Sequence, residues 1–175
     1  GRVVRQWHAG NGLPGSNQVR ALAQSADGTL WIGTSRGLVR LRDGRMTLFG
    51  QAQGLPRDFV VALHIARNGD VWVGTADGAA RIVGDRAVAA PMAPGLDARD
   101  VLGFADDEDG TLWMASDRGL LRYRDGRFAL LGIAQGLPVD TVFQVVDDLG
   151  GYFWLSSNRG VLRVRRADVD AVLDG

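Results

Sequence analysis

Few side chains in this 175-residue sequence could make or break a covalent bond. Cysteine is absent, which removes disulfides, thiolate metal sites and a thiol nucleophile. The two histidines, His8 and His64, are too isolated for a histidine metal centre or a triad. Ser16 has no base and Asp140 no paired acid at a readable spacing, so hydrolase chemistry has no support. The densest chemical feature is the run Asp106-Asp107-Glu108-Asp109, which ends in Gly110. It could offer oxygens to a hard cation such as Ca²⁺, but EF-hand spacing is missing and a solvated turn explains it more simply. His64, in VALHIAR, is expected to be hydrogen-bonded or channel-lining without catalytic duty. Arg40, Arg81, Arg122 and Arg163 recur at a fixed step. A residue repeated this way serves each unit alike, through a carboxylate, a carbonyl or a ring face. No cofactor and no metal are expected, and the chain reads as non-catalytic.

The elements that carry these residues repeat every 41 residues. Trp31, Trp72, Trp113 and Trp154 keep that step, and so do Gly28, Gly69, Gly110 and Gly151, three residues before each Trp. Gly37, Gly78, Gly119 and Gly160 follow six residues after it, and Val19, Val60, Val101 and Val142 precede it by twelve. A GLP turn leads the units at Gly12, Gly54 and Gly136, degraded to GLD at Gly95. Repetition at this period identifies an array of supersecondary units. Within one unit, VRALAQS, TLWIGTS, LVRLR and RMTLFG are short β-rich runs separated by ADG, RG and DG. Asp-Gly or Asn-Gly between apolar runs signals a hairpin, because such turns need φ > 0. Each unit therefore reads as four antiparallel strands, a to d.

A sheet of about forty residues cannot bury both faces alone. Stacked around an axis, such sheets form an all-β β-propeller. In TLWIGTS, Leu30, Ile32 and Thr34 share one face, Trp31 and Gly33 the other. Each tryptophan is expected to be buried between adjacent blades. The expected organisation is a propeller region over 1–166, with a lone outer strand at 2–7, blades at 8–52, 53–93 and 94–134, and a blade at 135–166 lacking its outer strand. Residues 167–175 are expected as a short helical or disordered tail. The spare strand at 2–7 would complete the last blade, beside 161–165, or pair with a second chain. A homodimer through these unpaired edges is the favoured outcome, because an open sheet edge invites association.

Net charge is zero, so no basic footprint for nucleic acid exists. No apolar run reaches the length of a membrane span, and the start GRVVRQWH has no signal-peptide core. Function should lie where units differ. The d–a and b–c loops share one end of the blades, and their variable residues Arg36, Asp77, Arg118, Asn158 and Arg159 form the candidate ligand ring. It suits a polar small molecule or an oligosaccharide, or a protein partner.

The stretch GLPGSNQVRALAQSADGTLWIGTSRGLVRLRDGRMTLF closely resembles the two-component regulator propeller repeat, with its GLP turn, L-W-I-G-T, G-L-x-R and D-G turn. The second unit follows in DFVVALHIARNGDVWVGTADGAARI. The third departs at Met114-Ala115-Ser116 and the fourth at Leu155-Ser156-Ser157. The resemblance implies a segment of a larger propeller in the periplasmic, extracytoplasmic sensor region of a bacterial inner-membrane receptor. Outputs of such receptors are histidine kinases, hybrid kinases or GGDEF diguanylate cyclases. None of their signatures stands in this sequence. The rival implications are a scaffold for receptor dimerisation or protein docking and, less well supported, a propeller lyase or glycosidase.

Overall fold

The computed structural model describes residues 3–90, 96 and 98–175. Four antiparallel meanders follow one another along the chain. Blade 1 comprises β1 (Val19–Gln24), β2 (Leu30–Thr34), β3 (Gly37–Arg42) and β4 (Arg45–Phe49). Blade 2 comprises β5 (Val60–Ile65), β6 (Val71–Thr75), β7 (Gly78–Val83) and β8 (Arg86–Ala89). Blade 3 comprises β9 (Val101–Asp106), β10 (Leu112–Ser116), β11 (Gly119–Arg124) and β12 (Arg127–Leu131). Blade 4 has three strands, β13 (Val142–Asp147), β14 (Tyr152–Ser157) and β15 (Gly160–Arg165), and then helix α1 (Arg166–Asp174).

The glycine columns explain the turns. Gly28, Gly69, Gly110 and Gly151 sit at φ +84, +86, +83 and +92, a region open to glycine and closed to branched side chains. The expected column of left-handed glycines is therefore present. The Asp43-Gly44 and Asp125-Gly126 pairs have positive φ at both residues, as a two-residue hairpin of the primed type needs. The leucine of each GLP turn is a plug: Leu13, Leu55 and Leu137 are all buried. The degraded GLD turn at Gly95 falls outside the described residues.

Blades meet face to face, and one rule governs the interfaces. Trp31, Leu38 and Phe49 of blade 1 pack on Val60, Val71, Val73 and Ala80 of blade 2. Trp72 and Ala79 of blade 2 pack on Val101, Phe104, Leu112 and Met114 of blade 3. Trp113 and Leu120 of blade 3 pack on Val142, Val145, Phe153 and Leu155 of blade 4. The first strands β1, β5, β9 and β13 lie side by side in that order, so strand a is the inner one. Gly33 lets the blades approach, since a Cβ there would meet Val60 Cγ1 at 2.6 Å.

Two expectations are corrected. The tryptophan rule buries Trp31, Trp72 and Trp113 but leaves Trp154 42% exposed, because none of the four blades packs on it. Residues 3–7 form no strand; Val3 and Val4 are exposed, and β15 gains no outer neighbour from them. The four blades thus make an open arc rather than a closed ring. Its two end faces both expose apolar residues. Blade 1 exposes Val19 and Leu22 on the side where blades 2 to 4 receive a tryptophan, while blade 4 exposes Phe143, Trp154 and Val161. The tail is helical, as one of the two expectations held, and it has work in the core. Val169 is buried against the blade 3–blade 4 interface, with Leu173 packed beside it.

Candidate functional site

The ends of the blades that carry the β2–β3, β6–β7, β10–β11 and β14–β15 turns are built on one device. Thr34, Thr75, Ser116 and Ser157 each donate a hydroxyl to the carbonyl three residues on, at 2.8–2.9 Å. The same hydroxyls accept from the backbone N–H of Arg36, Asp77, Arg118 and Arg159, at 3.1–3.2 Å. Four of the five predicted ring residues, Arg36, Asp77, Arg118 and Arg159, are therefore held by their backbones. This Thr/Ser column, three residues after each tryptophan, was readable in the sequence and is what positions the ring.

Each turn is then joined to the loop that enters its own blade, by a different chemistry every time. In blade 1, Ser35 Oγ donates to Ser16 Oγ at 2.9 Å. In blade 2, Arg57 reaches Asp77 at 3.5 Å. In blade 3, Asp117 Oδ1 accepts from the N–H of Arg99 and Asp100, at 2.8 and 3.1 Å. In blade 4, Asn158 Nδ2 donates to Asp140 Oδ1 at 3.1 Å. That bond is the chief reason the Asp140 carboxyl is held below its usual range. Burial acts first, and the Asp117 and Asp77 charges next, to push Asp100 up. The scaffold thus repeats while the surface above it does not.

A recess lies on this end. A cavity of about 490 Å³ is bounded by Arg118, Leu130, Gly132, Gln135 and Asp140, between blades 3 and 4. It combines a cation, an anion and an apolar wall, the lining that a polar organic ligand needs. Of the predicted ring residues it contains Arg118. Asp77 and Asn158 are committed to neighbours, and Arg36 and Arg159 stand on separate blades.

The other chemical candidates resolve as follows. His64 Nε2 lies 2.9 Å from Asp106 Oδ1, between inner strands β5 and β9, and its ring stacks on Phe104 with centroids 5.9 Å apart. The acidic run is a solvated turn only in part. Glu108 is exposed and Asp109 accepts from Thr111 N–H, but Asp107 is buried. Asp107 Oδ2 accepts from Trp113 Nε1 at 2.7 Å and from Arg166 at 2.5 Å, while burial raises its pKa. No cluster of three metal-ligating side chains stands among the described residues. The arginine column is structural: Arg40 binds Gly84 O and Asp85, Arg81 binds Asp70, Arg122 binds Asp170 and Asp174, and Arg163 lies over the Tyr152 ring.

The two-component regulator propeller family model matches residues 12–36 and 54–77, the leading loop and first two strands of blades 1 and 2. Among solved structures, the extracellular domain of the hybrid two component system BT3049 from B. thetaiotaomicron superposes with a TM-score of 0.81 at 19% identity. That match covers 96% of this chain and 24% of that one, so the arc corresponds to about a quarter of a larger structure. PorZ of Porphyromonas gingivalis, a surface component of the type-IX secretion system, aligns at TM-score 0.60 and 15% identity, over 96% of this chain and 28% of its own. Virginiamycin B lyase from Staphylococcus aureus aligns at TM-score 0.59 and 16% identity, over 85% and 55%. Identities this low establish a shared propeller-blade fold. No curated protein matches the chain.

Proposed function

We propose that this chain, which carries two-component regulator propeller repeats, is a non-catalytic sensor segment of a bacterial membrane signalling receptor. It acts outside the cytoplasm, in the periplasm, and its output domain, a histidine kinase or a GGDEF cyclase, belongs to the same receptor. The observation that carries this reading is the contrast at one end of the blades. An invariant Thr/Ser bracket holds four turns in register, and the side chains it presents differ from blade to blade. A single polar ligand touches each blade differently, so a recognition surface must break the repeat that builds it. The recess at Arg118 and Asp140 is where such a ligand would sit. The test is Arg118→Ala in the intact receptor. The output response should shift, while the melting temperature of the segment stays within about a degree or two, as for other exposed changes. A wild-type response from that variant and from Asp140→Ala would remove the ring from signalling.

A second reading has its own observation. The end faces of the arc expose apolar residues, Trp154 and Val161 on one and Val19 and Leu22 on the other. Two copies, or further blades of the same receptor, would cover them, and the segment would then serve as a dimerisation scaffold. Light scattering across concentration separates the readings: a mass of 18.8 kDa throughout excludes the dimer.

A further inference from the structure

The opposite end of the blades carries the β1–β2, β5–β6 and β9–β10 turns, and there the repeat breaks once. In blade 1 the Trp31 indole N–H donates to Ser25 Oγ at 2.8 Å, and in blade 3 that of Trp113 donates to Asp107 Oδ2 at 2.7 Å. The acceptor stands six residues before the tryptophan in both. In blade 2 that position is Ala66, and Trp72 Nε1 has no acceptor among the described residues. A second column breaks in the same place. Arg40 crosses to blade 2 at Asp85, and Arg122 crosses to Asp170 and Asp174 of α1. Arg81 does not cross; it folds back on Asp70 of its own blade at 3.1 Å.

A cleft of about 440 Å³ remains between blades 2 and 3, lined by Ala66, Arg67, Trp72, Arg81, Glu108 and Tyr123. The matching clefts are of similar size, about 580 Å³ between blades 1 and 2 and about 400 Å³ between blades 3 and 4, but Arg40 crosses the first and Arg166 enters the second. What the open cleft lacks is shown by its neighbour. In blade 3 the same slot holds a carboxylate, Asp107, between an indole N–H and a guanidinium. Ala66 deletes that carboxylate and keeps the indole, with Arg67 and Arg81 in the lining. The opposite wall is acidic. Asp106, Asp107 and Glu108 line it; Asp106 meets His64 Nε2 at 2.9 Å and the Arg67 N–H at 2.7 Å, and Glu108 is exposed. A bare anion would be repelled by that wall, whereas a cationic group beside the carboxylate is attracted to it.

We propose that this cleft binds a free α-amino acid, its carboxylate accepting from Trp72 Nε1 and its ammonium facing Asp106 and Glu108. The site is remote from the Arg118 ring, so either can fail without the other. Isothermal titration of the isolated chain with each common free L-amino acid, and with acetate and methylamine as half-ligands, tests it. At least one amino acid should bind saturably, and both half-ligands at least tenfold more weakly. Ala66→Asp supplies the slot from within, as blade 3 does; it should abolish that binding without lowering the melting temperature. Should Ala66→Asp misfold, Ala66→Ser, the blade 1 residue, should weaken binding severalfold. Trp72→Phe keeps a ring and loses the donor, and should weaken binding about tenfold, as expected for one lost charge-assisted bond. The proposal is overturned by no binding of any amino acid, by acetate binding as tightly as the amino acid, or by affinity unchanged in the Ala66 variants.

Discussion

Truncating the tryptophans one at a time should give costs that follow the blade order. Trp113 is fully buried, and a tryptophan ring gives up roughly 150–250 Å² of surface. At about 25 cal/mol per Å² that is ~4–6 kcal/mol, close to the ~3–5 measured for large aromatic truncations in cores. Trp113→Ala also strips Asp107 of its indole donor inside the protein, which pushes the cost to the upper end, ~5 kcal/mol. Trp154 is 42% exposed and covers no following blade, so water fills the space its removal leaves. What it forfeits is part of its area and a cation–π contact from Arg163 at 5.3 Å, together about 1–2 kcal/mol. Trp31 and Trp72 should lie near Trp113, with Trp72 lower because it has no hydrogen bond to lose. Urea unfolding followed by far-ultraviolet circular dichroism measures all four at a common m-value. Equal costs for Trp113→Ala and Trp154→Ala would refute the open-arc reasoning, because the last face would then be covered in solution.

Glycine substitutions separate two causes of strain. Gly69→Val should lose about 1–3 kcal/mol through its left-handed backbone alone, since no atom crowds that position. Gly33→Ala should lose a similar amount by driving a methyl into Val60 of blade 2, which thermal melts of the two variants can compare. Acid should destabilise the fold. Asp27 and Asp109 are held below 3.8 chiefly by the N–H groups of Thr29 and Thr111, so the stability they add is present above that value and is lost as pH falls through their folded values. Asp107 runs the other way: burial raises its pKa, so its cost grows as pH rises from 3.8. Melting temperatures from pH about 5 down to about 3 for wild type and Asp109→Ala check the direction, with a shallower decline in the variant.

The blade pattern was legible because it rests on local rules. A glycine at φ > 0 before each Trp, and an alternation that sets Trp31 opposite Ile32, need no knowledge of distant residues. The exposure of Trp154 was not legible, since one unit's sequence does not say whether a neighbour follows. The first strand failed for a related reason: residues 3–7 match strand d in pattern, but a strand exists only beside a partner. Topology alone puts Arg36, Asp77, Arg118, Asn158 and Arg159 at one end of the blades. Which of these residues borders a recess depends on the neighbouring blade, and Arg118 borders the one between blades 3 and 4. Asp107 misled because four acidic residues in a row suggest solvent, whereas the 41-residue step puts this one under the indole of Trp113. Helix α1 was foreseen as one form of the tail, but its ion pairs with Arg122 link residues 48 and 52 positions apart, beyond any local pattern.

Those ion pairs bear on how the chain comes apart. In a linear array each unit is stabilised by its own strands and by its immediate neighbours, so the four blades unfolded as an isolated segment unravel from the ends, where one neighbour is missing. Here the two ends are not equivalent. Blade 1 is held to the rest by its contact with blade 2 alone. Blade 4 is additionally fastened to blade 3 by Arg166 on Asp107, by Asp170 and Asp174 on Arg122, and by Val169 in their common core. A three-stranded terminal sheet that would otherwise be the weakest unit is thereby locked into the same cooperative block as its neighbour. In the isolated segment fraying is directed to the amino-terminal blade, and the last part to lose structure on unfolding is the carboxy-terminal half.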